Sequence, residues 1–254
     1  TGNPPFLIIN IIFPSKGTLD IVMDNRWALY YNLSIELESI LMKGETSLNR
    51  TTSAIYNILE WITKFADVNL LWVLFTLLGG IVLGFYPATT AMFAMVRDWL
   101  RGKSDLPVFK SFWNYYKREF WKSNRLGIFI TILFALIALD IYYIQANTSE
   151  QLVWTYIPLF AFMLLVVLYL FYIFPGFVHY DLKVLPLLKN TFLIMIISPI
   201  YSFWMIVCLV SMYFIMRAAP ALFFIFGGTA YAFITTWLGL HAFDRIQEKK
   251  KSIN

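Results

Sequence analysis

Cysteine is almost missing from this chain: Cys208 is the only one in 254 residues, so no disulfide framework is available to it. Histidine is nearly as scarce. His179 and His241 stand far apart, and no His-x-x-x-His, Glu-x-x-His or cysteine cluster supplies a metal-ligand spacing. Charge is also thin, at 14% of residues against about 25% in ordinary globular chains. That shortage excludes disordered and coiled-coil classes, which need the opposite bias. A phosphate-binding Walker loop, a Gly-x-Ser-x-Gly elbow and a dinucleotide fingerprint are all lacking. No catalytic constellation is visible, and the expectation is a protein with no catalytic residues, no cofactor and no metal.

What the chain has in excess is apolar surface, with 59% hydrophobic residues and 19% aromatic ones. Membrane helices need roughly 20 mostly apolar residues to cross a hydrocarbon layer about 30 Å thick. Five stretches qualify, at about Asn69–Met95, Leu126–Ile144, Val153–Val178, Phe192–Met216 and Ala219–Phe243. They are too long and too continuously apolar for barrel strands. The predicted fold class is all-α, a polytopic membrane helix bundle of five transmembrane helices. Two amphipathic helices are expected beside them, one N-terminal and one in a cytoplasmic loop.

Basic residues set the expected orientation. Arg97–Arg125 holds eight, while the next connection, Gln145–Leu152, holds none. Lys183 and Lys189 follow, then Arg217 alone, then Arg245, Lys249, Lys250 and Lys251. The alternation places the first and third connections and the C-terminus in the cytoplasm, with the start of the first span outside. The chain's net charge of +5 equals the surplus in Arg97–Arg125. Next to a membrane helix, such a surplus points to anionic lipid heads rather than to nucleic acid. The expected location is the cell membrane, multi-pass.

The N-terminal part reads differently. Residues 14–50 show no sustained helical or strand period, and residues 1–52 are set apart from a membrane domain at 53–254. Residues 1–41 are expected to come from a start placed upstream of the natural one, near Met42; an interfacial or disordered extension is the alternative. From Ser53 to Ala66 apolar residues recur at helical spacing, as in an amphipathic helix lying on the outer interface or packing on the bundle.

Two groups of residues are candidates for function. In the basic loop, Phe109, Phe112, Trp113, Tyr116 and Phe120 make one apolar face, with Lys117 beside it. The bland reading is an interfacial helix with lysines reaching lipid phosphates; the sharper one is a docking surface for a partner. In the first span, Gly79, Gly80, Gly84 and Pro87 mark a helix break or a close-packing face, as in the broken helices of transporters. Pro87 and Pro175, each followed by a Lys-x-x-Phe, also hint at a helix–loop–helix repeat.

The stretches Val68–Gly80, Phe85–Phe93 and Phe112–Phe120, together with Leu188–Phe192, resemble the bacterial YesL family. The resemblance covers roughly Ser53 to the C-terminus. It implies a small membrane protein associated with oligosaccharide uptake by ABC importers, and it carries no catalytic residues. The expected function is a non-enzymatic accessory component touching the permease or ATPase subunits of such an importer. The alternative is a small permease in its own right, using the Gly79/Gly80/Pro87 break.

Overall fold

A computed structural model describes residues 19–146 and 153–253, and every regular element among them is a helix. In chain order these are α1 (Leu19–Leu78), α2 (Val82–Leu100), α3 (Val108–Ala146), α4 (Val153–His179), α5 (Val184–Ile197), α6 (Pro199–Ala218) and α7 (Pro220–Ile253). Five stretches of helix are long and apolar enough to cross a membrane: Ile55–Leu78, Val108–Ala146, Tyr156–His179, Pro199–Ala218 and Pro220–Glu248. The chain is a membrane-spanning all-α protein. It divides into two compact units, Thr1–Glu60 and Trp61–Asn254.

In the first unit, the expected start artefact at residues 1–41 falls partly on residues 1–18, outside the described ones. From Leu19 onward the backbone is helical, although residues 14–50 carry no sustained helical period in sequence. Residues 32–40 show why the pattern was silent. Leu33, Ile35, Leu37 and Ile40 are all exposed, so no single apolar stripe is selected, yet Leu and Glu are good helix formers.

In the second unit the first span is not one straight crossing. Trp72 Nε1 donates to Thr89 Oγ1 at 3.0 Å, and the Trp61 and Trp99 rings lie 5.7 Å apart. In a continuous straight helix, residues 38 apart would be separated by about 57 Å. The segment expected as a single span, Asn69–Met95, is therefore a helical hairpin whose legs are the end of α1 and all of α2. Gly80 and Ile81 make the reversal with φ values of 73° and 62°. Val82 N–H donates to Gly80 C=O at 2.8 Å across Ile81, a γ-turn that a β-branched residue adopts only under strain. The correction has a plain cause: two apolar legs and one long apolar leg share one hydropathy profile. It also moves the start of this unit, since Trp61 now lies at the same end as the Arg97–Arg125 segment.

Other boundaries shift for similar reasons. Residues Ser53–Ala66 are helical as expected, but they run on into Leu78 within α1 rather than forming a separate interfacial helix. The amphipathic loop helix is likewise the first part of α3, a single helix about 58 Å long. The expected fourth span breaks at Ser198, because Pro199 lacks the N–H needed to continue α5 and starts α6 instead. Pro87 lies near the start of α2 and Pro175 near the end of α4, so the two prolines do not hold equivalent places and the repeat is not seen.

α2 is the centre of the second unit. Its buried residues include Gly84, Ala88, Thr89, Thr90, Ala91 and Ala94, small enough to let neighbouring backbones approach. Close approach matters because lipid gives no hydrophobic drive between spans; dispersion and hydrogen bonds hold them together. Phe93 stacks on Phe174 of α4 at 5.2 Å and meets Tyr231 of α7 edge-on at 6.0 Å. Tyr86 lies across Gly127 of α3 and bonds Thr131 at 2.6 Å. Asn69, 4% exposed, ties α1 to α7. Its amide donates to Phe224 C=O at 2.7 Å and its oxygen accepts from Gly228 N–H at 3.1 Å. Those two backbone groups are the partners of one helical i to i−4 bond, so the carboxamide sits against the ladder of α7.

Candidate functional site

The polar residues of the second unit gather where α2, α4 and α7 end and α3 begins. α2 stays apolar until Arg97 and Asp98, then closes with Gly102 at φ 81°. Gly102 N–H donates to Trp99 C=O and Lys103 N–H to Asp98 C=O, the paired bonds of a Schellman cap. Asp98 is 5% exposed, and a buried carboxylate needs partners. It has them: Arg97 donates to Oδ1 at 2.7 Å and 3.1 Å, and the Tyr115 hydroxyl of α3 donates to Oδ2.

Arg97 also donates to Val178 C=O in the last turn of α4, where a cation meets the negative end of a helix. Arg101 lies 3.1 Å from His179 Nδ1. A guanidinium only donates, so this ring nitrogen is the acceptor. Gln247 of α7 approaches the other ring nitrogen at 3.3 Å. Burial pushes the neighbouring Tyr180 phenol above its ordinary range, which keeps it neutral. Four helices are thus clamped at one end by Arg97, Asp98, Arg101, Tyr115, His179 and Gln247. Beside the clamp lies a cavity of about 480 Å³ reached by Thr90, Arg97, Arg118, Glu119 and Lys122.

The aromatic face anticipated on α3 is divided. Phe112 and Tyr116 are buried, packed on Phe75 of α1 at ring distances of 5.3 Å and 5.1 Å. Phe120 is half-buried and meets Tyr116 edge-on. Phe109 is 61% exposed and Trp113 37%, with Lys117 Nζ 4.6 Å from the centre of the Trp113 ring. Phe75 gave no sequence signal of its own; one phenylalanine in an apolar run looks like any other, and only the hairpin brings it under α3. The glycines have separate tasks. A Cβ on Gly84 would come within 2.5 Å of Thr76 C=O, and one on Gly79 within 2.3 Å of the Gly84 Cα, so these two are where the legs cross. Gly80 supplies the turn, and Pro87 is buried within α2. Asp98, Tyr115 and Arg101 were not singled out by sequence, because their partners lie on three other helices. Among the described residues no group of three or more His, Cys, Asp or Glu side chains stands close enough to hold a metal ion.

Comparison with known proteins adds a family. The family described as protein of unknown function, DUF624, matches residues 65–141, a span covering the hairpin turn, Arg97, Asp98, Arg101 and Tyr115 of the clamp, and most of α3. Uncharacterized protein YteU of Bacillus subtilis (strain 168) is 37% identical over 164 residues, 64% of this chain and 73% of the relative. YesV of the same organism is 31% identical over 197 residues, covering 77% of this chain and 94% of its own. The chain belongs to this YesL-like family. YesL itself is 31% identical over 195 residues, 76% of this chain and 92% of its own length. No solved structure matches the chain.

Proposed function

We propose that this member of the YesL-like family is a non-enzymatic accessory component of an ABC-type importer for oligosaccharides. It resides in the cell membrane with its charged end and C-terminus in the cytoplasm. The observation that carries the reading is the exposed edge formed by Phe109, Trp113 and Lys117, next to a clamped end that holds α3 in place. An aromatic edge on a fixed helix suits a protein partner better than a mobile lipid surface does. The interior supports the same view. A cavity of about 360 Å³ walled by α1, α2, α3, α4 and α7 is lined by Phe85, Met92, Phe134, Phe171 and Tyr231. Its Trp72 and Thr89 polar atoms bond each other. A sugar path needs convergent donors and acceptors for hydroxyls, and this lining offers few.

Crosslinking and pull-down from native membranes test the proposal. The Phe109→Ala, Trp113→Ala double variant removes the exposed edge and leaves the rings of Phe112 and Tyr116 themselves against Phe75. Wild type should recover importer subunits, and the double variant should lose them on the order of tenfold if both residues are central contacts. If no subunit is recovered with wild type and purified protein in liposomes moves an oligosaccharide alone, the accessory reading is wrong.

A further inference from the structure

We propose that the groove between α3 and the α4–α5 connection binds the phosphate of an anionic phospholipid headgroup. The inference stands apart from any importer partner. The cavity of about 480 Å³ beside the clamp adjoins a second of about 680 Å³, and Arg118, Lys122 and Asp181 line both. Five basic side chains, Arg97, Arg118, Lys122, Arg125 and Lys183, face Glu119 and Asp181 alone along this groove. Arg97 is held by Asp98 and Arg118 by Glu119. Lys122 meets Asp181 at 3.3 Å, but that carboxylate is fully exposed and an exposed pair is easily displaced. Arg125 and Lys183 have no ion-pair partner among the described residues.

Two further features point to an anion. α5 begins at Val184 with Lys183 as its N-cap residue, and no side chain caps it. The first amides of a helix lack intrahelical partners, and those of Val184 and Leu185 stand where residues 183–186 line the groove. At the deep end Thr90 is fully buried, and its hydroxyl has no hydrogen-bond partner. The choice of a lipid over a soluble phosphate rests on the rim. Trp121 is 74% exposed and Leu185 79%, and both line the groove. Beyond Trp121, α3 continues through exposed Ile128 and Ile132 into its apolar span. A phosphodiester with acyl chains satisfies the charges and the apolar rim together; a free phosphate leaves the rim uncovered.

The test uses the full chain in detergent, with short-chain phosphatidylglycerol, short-chain phosphatidylcholine and glycerol 3-phosphate as probes, and bound ligand counted by native mass spectrometry. Wild type should retain phosphatidylglycerol well above phosphatidylcholine. Arg125→Gln with Lys183→Gln should weaken that binding about twenty-five-fold, at about fivefold per charge. Lys103→Gln with Lys110→Gln, exposed basic residues of the same end outside the groove, should leave it unchanged. Lys183→Gln alone serves if the double variant fails to fold, with a loss of about fivefold expected. Equal losses in the groove and control variants would overturn the site in favour of diffuse attraction. Binding of glycerol 3-phosphate as tight as that of the lipid would overturn the lipid assignment.

Discussion

At the scale of single residues, Asn69 and Gly228 form the most specific contact in the second unit. Asn69 is buried in a span, where a polar group is costly unless it is bonded, and both ends of its carboxamide are bonded to α7. Gly228 exists in that register because a Cβ there would stand 2.8 Å from Asn69 Oδ1. The two residues therefore specify each other. Asn69→Ala should lower stability by about 1–2 kcal/mol, the range for hydrogen bonds between membrane helices. Gly228→Ala should cost about 1–3 kcal/mol through overpacking. In the double variant the clash partner is gone, so its total loss should fall clearly below the sum of the singles. Unfolding equilibria in detergent measure all three. Simple additivity would show that the two side chains do not meet.

At the scale of elements, α3 shows what the sequence could and could not disclose. The aromatic spacing from Phe109 to Phe120 marks one helical face, since 3.6-residue periodicity is a local property. Which part of the face is covered depends on Phe75, more than thirty residues upstream, and on a reversal that two positive-φ residues make. Gly79-Gly80 signalled a break, but glycine pairs in membrane helices serve packing as often as turning. The Asp98 clamp was hidden for another reason. Arg97-Asp98 reads as two more charges in a basic segment until Tyr115 and the end of α4 arrive beside it. The split of the aromatic face gives a sharp expectation. Phe112, fully buried against Phe75, should lose about 3 kcal/mol on change to alanine. Phe109, 61% exposed, should lose less than about 0.5 kcal/mol. Equal effects on detergent unfolding would mean that α3 does not present these two residues to different surroundings.

At the scale of the whole second unit, the hairpin decides which parts of the chain share a side of the membrane. Trp61 and Phe65 pack on Trp99, and Arg101, His179 and Gln247 join the ends of α2, α4 and α7. The segments richest in basic residues therefore meet at one end, as positive-inside logic requires of them. That logic was legible from composition alone. The side on which Trp61 lies was not, because a hydropathy profile counts apolar residues and carries no sign for a change of direction. Cysteine labelling separates the two arrangements. In a Cys208→Ser background, single cysteines replace Thr63, Lys103 and Tyr142, which are all exposed. Tyr142 lies 20 residues beyond Lys122 on α3, about 30 Å along the helix, so it reports the opposite end. A membrane-impermeant maleimide applied to intact cells should label Tyr142→Cys and spare both Thr63→Cys and Lys103→Cys. Lysis should then expose the latter two together. A straight crossing from Asn69 to Met95 would instead put Thr63 and Lys103 on opposite faces, and labelling of Thr63→Cys but not Lys103→Cys in intact cells would rule the hairpin out.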